Sequence, residues 1–244
     1  MKNYKLEISY DGTNYHGWQI QKNAVTVQAK IKSAIETILK EEVNLIGSGR
    51  TDSGVHALGQ IANFKTEKEI DLSKFKYSLN SILPSDIAVK SIFEVDTEFH
   101  SRFDAKKRNY IYIFSKNKNP FLEKYSSRIK FNQEINVAKL NKIASALIGK
   151  HDFTSFAKVN SDVKNKICEI YEIRFWETKE LIYFYVEANR FLHGMVRAIL
   201  GTLLEVSKKD FPIKQLNFIL QKKDRTVAGK AVSAKGLFLF KVKY

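Results

Sequence analysis

The sequence predicts a mixed α/β fold of two halves that share one sheet. In both halves, stretches with a two-residue apolar period alternate with stretches of helical period. No Pro-Gly linker separates the halves. A chain of 244 residues, 44% of them hydrophobic, can also bury a sizeable core without disulfides or metal.

Leu6, Ile8 and Tyr10 alternate with polar residues, and Asp11-Gly12-Thr13 closes them as a turn. The chain therefore opens on a strand and a loop carrying Tyr15, His16, Gly17 and Trp18. From Thr26, an N-cap residue type, Val27, Ile31, Ala34, Ile35 and Ile38 recur at helical spacing until Lys40. The pair Leu45-Ile46 precedes a Gly-rich run over 47–59, and Ile61, Ala62 and Phe64 mark a second strand. A helix over 72–83 stops at Pro84, and 87–95 reads as a third strand. The second half repeats the style, with strands over 110–114, 170–176 and 181–188 and helices over 137–148, 191–206 and 213–221. Residues 236–242 alternate as a closing strand. The halves are placed at 1–104 and 105–244, and no internal repeat is visible from the residues.

Lys and Arg number 41 against 26 Asp and Glu, a formal charge of +15 that favours a polyanionic partner. A lysine-rich composition alone also yields basic proteins, so the placement of the charge has to decide. The opening Met1-Lys2-Asn3-Tyr4-Lys5-Leu6 runs straight into strand alternation with no apolar leader, and no run approaches the roughly eighteen apolar residues of a membrane span. The expectation is a cytoplasmic protein without a membrane segment. Cys168 is alone, which fits a reducing compartment and reads as a small core residue.

The densest chemical signal is Gly47-Ser48-Gly49-Arg50-Thr51-Asp52-Ser53-Gly54-Val55-His56-Ala57, with three glycines, an arginine, a carboxylate and a histidine in eleven residues. Such runs hold strained or close-approach backbone, though a hairpin turn with a capping Asp has the same composition. It is not a P-loop. The five histidines are scattered without metal-ligand spacing, so no metal is expected, and no Gly-x-Ser-x-Gly elbow occurs. A carboxylate remains the best catalytic candidate. Basic and aromatic residues interleave at Arg102-Phe103, Lys106-Lys107-Arg108 and Tyr110-x-Tyr112, a pattern suited to phosphates and splayed bases as well as to a solvated strand entry. Arg190, His193 and Arg197 fall at spacings of three and four, which on the predicted helix form one face able to bind phosphate or pair with a carboxylate.

Eight segments in order carry a resemblance: 10–19 (Tyr-Asp-Gly-Thr-Asn-Tyr-His-Gly-Trp-Gln), Thr26-Val27-Gln28, Gly49-Arg50-Thr51-Asp52-Ser53-Gly54-Val55-His56-Ala57, Phe99-His100-Ser101-Arg102-Phe103, Tyr110-x-Tyr112, Leu147-Ile148-Gly149-x-His151-Asp152-Phe153, Met195-Val196-Arg197 and Gly236-Leu237-Phe238-Leu239. Over essentially its whole length the chain resembles the bacterial tRNA pseudouridine synthase A family. The resemblance implies an α+β fold of two ferredoxin- or RRM-like halves on a continuous, mostly antiparallel sheet. It puts the catalytic aspartate on Asp52, the base-displacing arginine on Arg50, the stacking tyrosine on Tyr110 and the carboxylate-pairing arginine on Arg197. It also implies a homodimer that isomerises uridines at positions 38, 39 and 40 of the anticodon stem-loop of transfer RNA, without cofactor or metal. Ser53 stands where alanine is common, and Leu192-His193-Gly194 is a variant approach to Met195.

Such a reaction breaks the N1–C1′ bond of uridine and rejoins the uracil through C5. An ionised carboxylate serves it either as nucleophile or stabiliser at C1′ or by removing a ribose proton. The target base must first leave its stack. Lys106, Lys107, Arg108, Arg102 and Arg190 are the candidates for gripping phosphates, with His193 beside them. Two alternatives remain open from the residues. One is a non-catalytic RNA-binding module with Asp52 as a turn residue, although the RNP1 pattern is absent. The other is a pseudouridine synthase for other RNA sites.

Overall fold

The computed structural model describes residues 1–129, 135–159 and 163–244. They form two compact units, Met1–Lys106 with Phe238–Tyr244 and Lys107–Leu237.

The first unit runs β1 (Lys2–Tyr10), α1 (Val27–Leu39), β2 (Ile46–Gly47), β3 (His56–Thr66), α2 (Leu72–Ile82) and β4 (Ile87–Val95). β1 lies between β3 and β4, antiparallel to both, and β2 adds to β3. The period-two pattern of β1 sends Tyr4, Leu6 and Ile8 to one face, where all three are fully buried with Phe64 of β3 and with Val27, Ile31 and Ile35 of α1. Phe64 packs against Tyr4 at 5.7 Å and against Phe75 of α2 at 6.1 Å between ring centroids. Thr26 takes the N-cap position of α1 by its extended backbone, yet its buried hydroxyl makes no hydrogen bond. Asp71 caps α2 by accepting from the backbone N–H of Ser73 and Lys74, both at 3.1 Å.

The second unit runs β5 (Lys107–Ser115), β6 (Ser127–Arg128), α3 (Val137–Ala144), β7 (Gly149–Asp152), β8 (Ile167–Glu177), β9 (Leu181–Ala188), α4 (Met195–Val206) and α5 (Pro212–Lys222). Its strands are ordered β5-β9-β8-β7 and antiparallel throughout, with β6 parallel to β5. Tyr112, Phe184, Leu140, Ile143, Ile199 and Leu203 form its core. The closing strand β10 (Leu237–Lys243) belongs from Phe238 onward to the first unit, where it pairs parallel with β3, although the sequence placed it with the second half. Mixed α/β structure on mostly antiparallel sheet is as the sequence predicts.

Several boundaries differ. The Gly-rich run ends earlier, because His56 already pairs as the first residue of β3. Lys107 and Arg108, expected before a strand, are its first residues. α3 stops at Ala144 and tightens into a 3-10 turn over Ser145–Leu147. The helix expected from 191 begins only at Met195, because Gly194 sits at φ +72° and reverses the chain there. Arg190 and His193 therefore lie outside α4 and share no helical face with Arg197.

α4 is buried on nearly every side. A Cβ on Gly201 would lie 1.9 Å from the carbonyl oxygen of Lys230, so the segment over 229–232 crosses α4 at a distance only glycine allows. That segment is tied down by Gly229 N–H to Thr202 Oγ1 at 2.9 Å and Val232 N–H to the Arg197 carbonyl at 3.2 Å. Gly201→Ala should therefore lower the melting temperature by several degrees, although alanine is the better helix former by about 1 kcal/mol, since overpacking costs roughly 1–3 kcal/mol. Thermal denaturation showing an equal or higher midpoint would contradict this crossing.

Candidate active site

Asp52 is half-buried on the turn that follows β2, and its carbonyl accepts the Val55 N–H at 3.1 Å. The residues on either side of it are anchored. Ser48 Oγ donates to Gln60 Oε1 at 2.7 Å, and Gln60 Nε2 donates to the Gly49 carbonyl at 3.0 Å. Thr51 shares a buried hydroxyl hydrogen bond of 2.8 Å with Tyr10, and its carbonyl accepts the Trp18 N–H at 3.2 Å. The Tyr15 carbonyl accepts from Ser53 Oγ at 3.2 Å and from the Gly54 N–H at 3.3 Å.

These bonds require the loop over 11–18 to lie directly on the backbone of 51–55. A Cβ on Gly12 would stand 2.0 Å from the Val55 carbonyl oxygen, and one on Gly17, at φ +86°, would stand 2.4 Å from that of Thr51. The bracing loop is itself fixed. The Tyr15 hydroxyl donates to Asp86 Oδ1 at 2.6 Å, and burial together with that bond pushes its phenol well above the usual tyrosine range, so it stays a donor. Gly12 N–H donates to Nδ1 of the buried His56 at 3.1 Å. Sequence reasoning gave no role to Tyr10, Gly12, Tyr15, Gly17, Trp18 or Gln60. Two glycines five residues apart, with Tyr15 between them and Trp18 directly after, were the available signal for a close backbone contact.

Arg50 is exposed on the same loop. Arg102 is exposed with its guanidinium over the ring of Phe103, 5.6 Å from the centroid, and Lys106 is exposed at the end of that segment. The segment is anchored through Ser101, whose hydroxyl donates to the Ile46 carbonyl at 2.6 Å beside the entry to the Asp52 loop.

In the second unit the start of β5 and the end of β9 bring several predicted residues together. Lys107 Nζ pairs with Glu187 at 2.9 Å and sits over the Tyr171 ring at 4.4 Å. Arg108 donates to the Asn189 carbonyl at 2.9 Å. Tyr110 is buried and meets Phe191 edge-on at 5.1 Å. Arg190 donates to the Asn165 carbonyl at 3.2 Å, while His193 is exposed. Arg197, on the first turn of α4, donates from Nε to the Val232 carbonyl at 2.8 Å, which fixes the direction of its guanidinium. Beneath them, burial pushes the Tyr112 phenol up to about 12, and its hydroxyl donates to the Ser233 carbonyl at 2.9 Å. Cys168 is fully buried and its thiol is pushed up to about 11 by that burial, so it fits the core reading and not a nucleophile.

A carboxylate held on a braced turn, within a strongly basic α/β chain, is the layout of a carboxylate enzyme acting on nucleic acid. A family model described as tRNA pseudouridine synthase matches residues 8–104 and 143–244, and the chain belongs to that family. Curated proteins named tRNA pseudouridine synthase A, from Thermoanaerobacter sp., Caldicellulosiruptor saccharolyticus and Clostridium acetobutylicum, are 44%, 43% and 44% identical to it, with 100% of each chain covered.

Gly17→Ala should displace Thr51 and Asp52 together and lower the single-turnover rate of pseudouridine formation by at least about tenfold, with little change in tRNA affinity. A single-turnover rate within twofold of wild type would show that the loop contact does not position Asp52.

Proposed function

We propose that this protein isomerises uridine to pseudouridine at positions 38, 39 and 40 in the anticodon stem-loop of transfer RNA, with Asp52 as the catalytic carboxylate. The observation that carries this reading is the Asp52 turn, half-buried and braced from both sides, in a chain of the tRNA pseudouridine synthase family. The isomerisation balances without a co-reactant. The N1–C1′ bond breaks, a C5–C1′ bond forms, C5 gives up its proton and N1 gains one. An anionic carboxylate beside C1′ supports that carbon as N1 departs.

The reading gives Arg197 the pairing of a carboxylate, Tyr110 the stacking on the extruded uracil and Arg50 the space the base leaves. Arg102, Lys106, Lys107, Arg108, Arg190 and His193 grip the surrounding RNA. For Lys107 this means exchanging its bond to Glu187 for a phosphate. The chain works as a homodimer in the cytoplasm, one transfer RNA touching both subunits.

The test is incubation with unmodified transfer RNA carrying uridines in the anticodon arm, followed by carbodiimide treatment and primer extension. Wild type should give stops at positions 38 to 40, and Asp52→Asn should give none while binding the RNA with affinity within about threefold of wild type. Equal signal in the Asp52→Asn variant would remove Asp52 from the chemistry. Signal at other positions would move the reading to a synthase for other RNA sites.

A further inference from the structure

The exposed side of α5 carries a pattern that the catalytic reading does not use. Phe211 is 67% exposed and Phe218 is 45% exposed, at a point where an amphipathic helix ordinarily shows polar residues to water. Their separation of seven residues is two helical turns, about 10 Å along one face. Each ring carries a lysine. Lys214 Nζ stands 5.2 Å from the Phe211 centroid and Lys222 Nζ 5.2 Å from that of Phe218. Beside Phe211 opens a groove of about 330 Å³, lined by Lys139, Lys142 and Ile143 of α3 and by Asp210, Pro212 and Ile213.

The charges here are available. Among the described residues Lys139, Lys142, Lys208, Lys209, Lys214 and Lys222 have no carboxylate within ion-pair distance, whereas the neighbouring Lys223 is paired with Asp152 at 3.0 Å. Asp210 is the one acidic side chain lining the groove. Exposed rings spaced along a helix and interleaved with unpaired ammonium groups match the two needs of an unpaired stretch of RNA, a flat surface for bases and cations for phosphates.

We propose that this face of α5, with the groove against α3, is a second RNA-binding surface that stacks unpaired bases of the substrate transfer RNA away from the uridine being modified. The proposal rests on the tRNA reading above and extends it to a surface outside the catalytic residues. Phosphates lie on Lys214, Lys222, Lys139 and Lys142, and a base lies on each of Phe211 and Phe218 once its lysine swings toward the backbone.

The experiment compares wild type, Phe211→Ser/Phe218→Ser, Phe211→Tyr/Phe218→Tyr and Lys214→Gln/Lys222→Gln on full-length transfer RNA and on an isolated anticodon stem-loop. The serine pair should weaken full-length binding by at least about tenfold and raise KM with kcat unchanged, while the tyrosine pair stays near wild type. The stem-loop should be bound and modified equally by all four proteins. The glutamine pair should reduce the slope of log affinity against log salt by about 1 to 2. Full-length binding unchanged in the serine pair, with wild type active, would overturn the surface and leave the functional reading standing. So would a loss of oligomeric state in that pair by size-exclusion chromatography, which would assign the face to another protein chain. A wild type that forms no pseudouridine in either RNA, yet loses binding in the serine pair, would overturn the functional reading and keep the surface as an RNA site.

Discussion

The contact on which the site depends is backbone against backbone. The loop over 11–18 and the turn over 51–55 approach so closely at Gly12 and Gly17 that a methyl group at either would fall inside a carbonyl oxygen of the facing strand of chain. At that distance the two segments satisfy each other's hydrogen bonds. The Tyr15 and Thr51 carbonyls take donors from the opposite side, and Tyr10 closes the buried hydroxyl pair with Thr51. Loops ordinarily need water for these groups. Here two loops serve each other, and the turn that carries Asp52 acquires the rigidity of a strand end. On the proposed reading this carboxylate meets one sugar carbon, and placement fixed in advance serves that meeting.

The second unit solves a similar problem differently. Arg197 lies on the first turn of a buried helix, and a stretch of chain over 229–233 crosses that helix and holds it. Gly201 admits the Lys230 carbonyl, Thr202 takes the Gly229 N–H, and Val232 binds Arg197 through both its N–H and its carbonyl. The same stretch ends on Ser233, whose carbonyl accepts the Tyr112 hydroxyl two residues from Tyr110. A long cationic side chain loses rotamer freedom when ordered, and the Nε bond to Val232 removes that freedom before any ligand arrives.

Much of this was legible in the sequence where local chemistry and global packing agree. Period-two alternation located β1 and β10, and Pro84, a ring that ends helices, located the end of α2. The failures share a cause, because each depends on a partner distant in sequence. Lys107 was expected to precede the strand, but Glu187, eighty residues away, pairs with it and it is the first residue of β5. The run over 189–194 has helical spacing, but Gly194 in the left-handed region starts α4 four residues late. β7 is too short and polar to show any period, and it exists because Gly149–Asp152 pairs with β8. At the site, the Asp52 loop was conspicuous by composition, while the residues that brace it were visible only as glycines and aromatics without an assigned task.

If the brace around Asp52 serves catalysis, then its buried hydrogen bond should matter to the chemical step more than to RNA binding. The direct measurement is the single-turnover rate of pseudouridine formation for Tyr10→Phe, alongside its tRNA affinity and melting temperature. That substitution keeps the ring on Trp18 but removes the partner of the Thr51 hydroxyl, a loss of about 1–3 kcal/mol in a buried setting. The account predicts a rate at least several-fold slower with affinity unchanged. A lower melting temperature with the wild-type rate would contradict it, and would make the contact a stabilising feature of the fold with no part in positioning Asp52.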